Sequence, residues 1–423
     1  MREATLARYE RYIGKAQARL MKFINAPCEI RSEGALIFDE DDEAYLDAGG
    51  YGVFFLGHVH PHITGPVSRQ LFKHPLACRS LLNVEHGKAA EALLGTTPDA
   101  IERVIFATTG AEAVEIALKL ARLNGKKRVI AMENGFHGKS CGALSVTGNA
   151  AYRDAFLPLL PDVAFIAFGN AAAAEAALRA AAGEACLIVE PIQGEGGGHI
   201  PPTGYLAQLS AACKETGNLL VVDEIQTGMG RTGHWWSSIA QGITPDILLA
   251  GKGLGGGVVP VSAVMGTGPV FRRLDQDPLL HSSTFAANPL AMVAVQATLD
   301  VIMEECYLDR ARLLGRRLLD AFSELAARDG GEWLGDVRGE GLLLAIEFAE
   351  AHIAIDFMLE LMRHKVIACH ALNNSRTVRF TPPVVLTEDQ IIWLVSAVEA
   401  SLRTIASRYG GSTHQGGVTC SKM

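Results

Sequence analysis

The chain of 423 residues lacks paired cysteines. Cys28, Cys78, Cys141, Cys186, Cys213, Cys306, Cys369 and Cys420 are scattered, and none stands in a C-x-x-C pair. They read as small buried hydrophobes in a reducing compartment, not as a disulfide framework. The chain also lacks a run of basic residues, which argues against nucleic acid, and an acidic block, which argues against a charged tail; its net charge of −8 is spread along its length. No apolar run is long enough to span a membrane. The first residues, MREATLARYERYIGKAQARLMKF, lack the apolar core of a secretory signal. Glu3 and Glu10 interrupt the basic face that a mitochondrial presequence needs. These absences together predict a cytoplasmic protein.

What is present is ordinary for a globular chain. Apolar residues make up 49% and charged residues 20%, enough for sizeable cores, and 423 residues are too many for one small core, so two domains are expected. Leu6, Tyr9, Ile13, Ala16 and Leu20 fall three or four apart and predict an amphipathic helix that packs on a partner or a groove. Residues 30–48 carry a hairpin pattern, with a turn at Gly34 and another in Asp39–Asp42. The stretch GGYGVFFLGHVHP that follows reads as irregular.

From about residue 86, helical periodicity alternates with short apolar runs: VIFAT (104–108), RVIAM (128–132), VAFIAF (163–168), CLIVEP (186–191), LLVVDE (219–224), ILLAGK (247–252) and VSAVMG (261–266). Runs of this kind suit strands buried on both faces, so the pattern predicts an α/β domain around a mainly parallel sheet. A second region begins near residue 296 with long helical patterns over 297–328 and continues as mixed α/β to about 408. The last residues, GGSTHQGGVTCSKM, have no periodicity and are expected to be disordered.

Five segments carry residue types suited to chemistry. In FATTGAEAVE (106–115) a strand meets a helix at Thr109, Gly110 and Ala111; free N–H groups and the positive helix end there can hold a phosphate. In ENGFHGKS (133–140) Phe136 and His137 stand between glycines and can stack on a flat ring. EPIQGEGGG (190–198) places Glu190 and Glu195 after a strand, where open α/β sheets put ligands. In VVDEIQTGMGRTG (221–233) Asp223 ends an apolar strand, and a buried carboxylate needs a cationic or hydrogen-bonding partner; a protonated pyridine nitrogen would serve. In PDILLAGKGLGGG (245–257) Lys252 sits where desolvation favours its neutral, nucleophilic form. Each alone also reads as a capped helix, a Gly-rich turn or an exposed lysine. Their conjunction, each near a strand end, is what points to one site. His58, His60 and His62 in GHVHPHI lack an accompanying carboxylate or cysteine cluster, so no metal is expected.

With these motifs the chain resembles the class III aminotransferases of fold type I from about residue 25 to 405. TGAEAVE, FHGKS, EPIQGEGG, DEIQTGMGRTG, GKGLGGG and STFAANP carry the resemblance. Within the family it looks most like the putrescine aminotransferases, through FHGKSCGALS (136–145), FLPLLP (156–161), FGN (168–170) and LNNSRTVRFTPPVVLT (372–387). The resemblance implies a large domain over 59–300 that binds pyridoxal phosphate. It also implies a small α/β domain built from both chain ends, 1–58 and 301–410, with 411–423 as a tail. It implies that Lys252 carries the cofactor as a Schiff base, that Asp223 pairs with the pyridine nitrogen, that Gln226 contacts the ring hydroxyl and that Phe136 stacks on the ring. Thr109, Gly110 and Ala111 would hold the phosphate. Thr284 would reach the phosphate of a neighbouring subunit, which implies a homodimer with shared active sites. Arg379 would bind the oxo-acid carboxylate, and Glu195 would neutralise it when an amine without an α-carboxylate is in place.

The sequence departs from the family pattern in small ways: Thr109 stands for serine, Ala286–Ala287 for a glycine pair, and Gly251 for alanine. Tyr51 stands where putrescine aminotransferases tend to have phenylalanine; ornithine aminotransferases have tyrosine and use it near the substrate carboxylate. The implied activity is transfer of an amino group from a terminal amine, a diamine such as putrescine or an ω-amino acid, to 2-oxoglutarate, giving an aldehyde and glutamate. Ornithine, N-acetylornithine, 4-aminobutyrate or a specialised aldehyde are the other substrates the resemblance allows. Aminomutases and epimerases share the same lysine.

Overall fold

A computed structural model describes residues 1–410; the expected tail at 411–423 lies outside the described residues. The N-terminal hairpin is formed by β1 (Arg31–Glu33), β2 (Leu36–Phe38) and β3 (Ala44–Asp47). The seven apolar runs become β4 (Ile101–Ala107), β5 (Arg128–Met132), β6 (Val163–Ile166), β7 (Ala185–Val189), β8 (Leu219–Asp223), β9 (Ile247–Ala250) and β10 (Ser262–Thr267). They join in one sheet of order β4-β10-β9-β8-β7-β5-β6. Every pairing among β9, β8, β7, β5 and β6 is parallel, and only β10 runs against its neighbours β4 and β9.

Both faces of this sheet are covered, which is why its strands are apolar throughout. Successive residues point to opposite faces. Leu187, Val189, Leu220, Val222, Leu248 and Ala250 enter one core. Cys186, Ile188, Val221, Ile247 and Leu249 enter the other, against Ala113, Val114, Ile116, Ala117 and Leu120 of the helix Gly110–Leu123. Each such leucine, isoleucine or valine stabilises the fold by roughly 1.5–3 kcal/mol relative to exposure.

The rest of the chain forms two four-stranded sheets, using β11 (Leu334–Glu340), β12 (Leu343–Phe348), β13 (Val366–Ile367), β14 (Cys369–Ala371) and β15 (Asn374–Phe380). The first has the order β1-β2-β3-β13, and its parallel β3–β13 pairing ties the two ends of the chain together. The second has the order β11-β12-β15-β14. The fold is therefore the mixed α/β arrangement expected, with a central, mostly parallel sheet.

One helical expectation differs from the structure. The N-terminal periodicity is broken into helices Arg2–Arg8 and Lys15–Phe23 by a π-helical turn, Tyr9–Ile13, that ends at Gly14. Glycine lacks the side chain that favours helix continuation. The long helical patterns over 297–328 appear as expected, as the helices Pro289–Glu304 and Tyr307–Asp329, separated where Cys306 turns left-handed. Among the described residues no helix is long and apolar enough to cross a membrane.

Candidate active site

The register of the central sheet assembles the site. Val189 of β7 pairs with Val222 of β8, so the residues that follow them, Glu190 and Asp223, leave the sheet at one level. Asp223 in turn pairs with Leu249 of β9, three residues before Lys252. On the far side β4 ends at Ala107, and the helix Gly110–Leu123 starts beside the same strand ends. These carboxyl ends of parallel strands enclose a cavity of about 220 Å³ lined by Gly110, Ala111, Phe136, His137, Gly138, Glu190, Glu195, Asp223, Ile225, Gln226 and Lys252.

Lys252 has φ 44°, in the left-handed region that a side chain of this size rarely adopts. Gly251 and Gly253 flank it, and the surrounding strand ends hold the conformation. Such outliers persist where packing over-determines them, often at functional sites. Burial pushes the Lys252 ammonium down to about 8; Arg379 adds to the fall, while Glu195, Asp223 and Glu190 oppose it. A lysine held this way has an appreciable neutral fraction near physiological pH, which is what a nucleophile or proton carrier needs.

Asp223 is buried, and its Oδ1 accepts from the Ile225 amide at 3.1 Å. Its Oδ2 lies 2.7 Å from Nδ1 of His137. Burial alone would push the His137 imidazole down, but its bond to Asp223 and the charges of Asp223 and Glu190 leave it above its ordinary value. The neighbouring acid, Glu224, faces elsewhere: its two oxygens accept from Ser237, Ser238 and Thr227. Glu190 accepts from the Phe136 amide at 3.0 Å. Burial raises its carboxyl to about 7, with Asp223 adding to the rise and His137 the strongest opposing influence.

The opposite wall belongs to β15 and the Gly-rich loop. Arg379 and Glu195 are both buried and meet at 2.5 Å, Nη1 to Oε1. Burial would raise the Glu195 carboxyl, but Arg379 first and Lys252 second hold it below the usual range. The Leu372 amide donates to Glu195 Oε2 at 3.0 Å. Among the described residues, Nε and Nη2 of Arg379 have no partner although both are buried. With its amide oxygen turned inward, Gln226 accepts from Arg379 Nη1 at 3.0 Å and from Lys252 Nζ at 3.2 Å. Gly194 lies so close that a Cβ there would stand 1.6 Å from the other end of the Gln226 amide. Any larger residue would displace this amide.

Thr109 caps the helix: its hydroxyl accepts from the Glu112 amide at 3.2 Å, while Glu112 accepts from the Thr108 amide at 2.7 Å. Gly110 and Ala111 face the cavity with the first helical N–H groups nearby. Tyr51 is exposed, in the left-handed turn Gly50–Gly52. Its phenol is raised by burial, then by Cys369 and Glu195, with Arg379 opposing. Arg231, fully buried, donates to the backbone oxygens of Gly52, Leu342 and Pro382 and so holds this turn against the small sheets. Thr284 is exposed and does not line the cavity of its own chain. The histidine motif is dispersed: His58 pairs with Asp47 at 2.9 Å, and His60 meets His62 edge to face.

Sequence reasoning thus named the lysine, the aspartate, the arginine–glutamate pair, the glutamine and the phenylalanine. It passed over His137 as a holder of Asp223. No local signal joins two residues 86 positions apart; His137's place between glycines beside the ring-stacking Phe136 was the one hint.

The arrangement can hold an anion at a helix N-terminus and a flat ring against Phe136. It offers a carboxylate to a ring cation and a desolvated amine to a carbonyl. Residues 22–402 match the family model for class III aminotransferases. The ornithine aminotransferase from Toxoplasma gondii is 30% identical, with 96% of each chain covered and a TM-score of 0.88. An amine transaminase from an uncultivated Pseudomonas species, solved in its PLP-bound form, is 27% identical over 90% of this chain and 95% of that one, with a TM-score of 0.83. The ornithine δ-aminotransferase of Plasmodium falciparum is 27% identical over 93% of this chain and 99% of that one, with a TM-score of 0.79. A strand-end site built around Lys252 and Asp223, in a chain matched over most of its length, leads to one assignment: the protein belongs to the class III aminotransferases, enzymes that transfer amino groups with pyridoxal phosphate as cofactor.

Proposed function

We propose that this aminotransferase moves an amino group from a terminal primary amine, a short diamine such as putrescine or an ω-amino acid, to 2-oxoglutarate in the cytoplasm. The observation that carries this reading is the closed, buried Arg379–Glu195 pair beside Lys252. An amine donor without an α-carboxylate meets a neutralised pair. 2-Oxoglutarate opens it, because its carboxylate takes Arg379, whose Nε and Nη2 are free to bind a second acceptor. Leaving such an arginine unpaired would be costly, and the glutamate avoids that. An ordinary α-amino acid would have to break the pair without the second carboxylate that makes glutamate a match. Tyr51 near this pair favours ornithine as the second candidate donor.

When bound, pyridoxal phosphate supplies an electron sink for the carbon that carries the substrate nitrogen. Gly110 and Ala111, with the helix cap at Thr109, would hold its phosphate, Phe136 its ring face, Gln226 its ring hydroxyl and Asp223 its ring nitrogen. Lys252 Nζ would hold its carbonyl carbon and, as a desolvated free amine, would accept a proton from the substrate carbon. The same amine would carry that proton back, so one base would serve both transfers. Burial keeps water from competing for it.

A donor series is the test. Putrescine, cadaverine, 4-aminobutyrate, ornithine, N-acetylornithine and alanine are compared by kcat/KM with 2-oxoglutarate, reading glutamate. Terminal amines are expected to lead. Alanine as best donor by about tenfold, about 1.4 kcal/mol of transition-state preference, overturns the reading.

The same reading includes a homodimer in which Thr284 completes the partner's phosphate site. Exposure of Phe72, Leu81, Leu82, Leu279 and Phe285 supports a covered surface. Thr284→Ala is expected to weaken cofactor retention by about tenfold, about the loss of one hydrogen bond to a charged group. Dialysis followed by absorbance measures this. A fully active monomer by light scattering would refute the shared site.

A further inference from the structure

Three acids, Asp223, Glu190 and Glu195, and three bases, His137, Lys252 and Arg379, share the cavity wall or stand directly behind it. Glu195, Arg379 and Lys252 have their roles above, and Asp223 faces the ring. Glu190 and His137 remain. His137 Nδ1 is engaged with Asp223, while its Nε2 is buried with no partner among the described residues. Glu190 is buried too, and its single polar contact among the described residues is the Phe136 amide. Both border Gly135 without touching one another: a Cβ there would stand 3.4 Å from His137 Nε2 and 3.5 Å from Glu190 Oε2. A glycine thus leaves open the space between an unpartnered imidazole nitrogen and a buried carboxylate.

We propose that Glu190 is a positioning residue that favours the doubly protonated form of His137, in which His137 Nδ1–H donates to Asp223. A neutral imidazole can carry its proton on either nitrogen. In one tautomer Nδ1 would accept, and Asp223 would have to donate, which is the wrong form for receiving a ring N–H. A carboxylate on the Nε2 side favours the imidazolium and removes that choice. Glu190 also fixes Phe136, so the ring plate and the ring-nitrogen partner are set by one side chain. The groups that face His137 are Asp223 and Glu190; Lys252, from β9's end, bears on both acids. This inference rests on the site assigned above, but its test does not use the cofactor.

The experiment follows the imidazole of His137 by NMR in the full-length apoprotein with carbon-13-labelled histidine, its signal assigned by its loss in His137→Asn. Wild type is expected to titrate above the ordinary histidine value. Glu190→Gln, which keeps an acceptor for the Phe136 amide and loses the charge, is expected to lower the midpoint by about one pH unit or more. Gly135→Ala, which puts a methyl group 3.4 Å from His137 Nε2 and 3.5 Å from Glu190 Oε2, is expected to lower it in the same direction. A wild-type midpoint at or below the ordinary value overturns the proposal without any variant. An unmoved midpoint in folded Glu190→Gln also overturns it, because a purely structural Glu190 would change melting temperature and leave His137 as it was.

Discussion

Lys252→Ala is expected to end covalent attachment of the cofactor and to slow amino transfer by about ten-thousand-fold or more, the upper range for a positioned proton carrier. The pH dependence of the wild type gives an independent reading. Burial brings the ammonium to about 8. A lysine lowered in this way is neutral above that value, so attachment of pyridoxal phosphate to the apoprotein should quicken as pH rises through about 8 and then level off. At pH 7 about a tenth of Lys252 would be neutral, against about 0.04% of an unperturbed lysine, so attachment starts some two orders of magnitude ahead. Absorbance after mixing measures the rate, and borohydride reduction with peptide mapping locates the bond. A label on another lysine, or a rise delayed until about pH 10, the range of an ordinary lysine, defeats the assignment.

The second large effect is expected at Arg379. Arg379→Ala removes one partner of a buried pair, and such truncations cost about 2–5 kcal/mol. The oxo-acid half-reaction should fall by about a hundredfold or more, because the arginine is the cation that receives a carboxylate. The amine half-reaction should fall less, since in that half the pair is closed on itself. Stability should fall as well. Glu195 is held below the usual carboxylate range against the opposing effect of burial. A lowered acid stabilises the fold above its unfolded value, and that contribution is lost as pH falls through the lowered one. In the variant the gain from Arg379 is already missing at neutral pH. Single turnovers of each half, followed at the cofactor band, separate the two effects; equal losses in both halves would count against a carboxylate-specific arginine.

How far the sequence reaches is clear from particular residues. β5 and β8 could be read almost to the residue, because LLVVD and RVIAM carry the apolar, β-branched character of strands covered on both faces. Lys252 and Asp223 stood out because a charge at the end of such a strand needs a reason. The N-terminal helix was read as continuous because periodicity does not register one glycine. β10 has the composition of its parallel neighbours, and nothing in VSAVMG reports that it runs the other way. Asp223 and Glu224 are adjacent acids of similar chemistry. Only folding separates them, one toward the cavity and His137, the other onto the Ser237–Ser238 turn.

By itself the sequence determined the class of sheet, the strand ends that would hold chemistry, and the family, since these depend on local composition and on motifs a few residues long. The tertiary structure decided what those side chains do to one another. Register put Glu190 beside Asp223, β15 brought Arg379 onto Glu195 across 184 positions of chain, and burial moved Lys252 toward neutrality. Desolvation and charge–charge coupling act over a few ångströms of space, and separation along the chain carries no record of that distance.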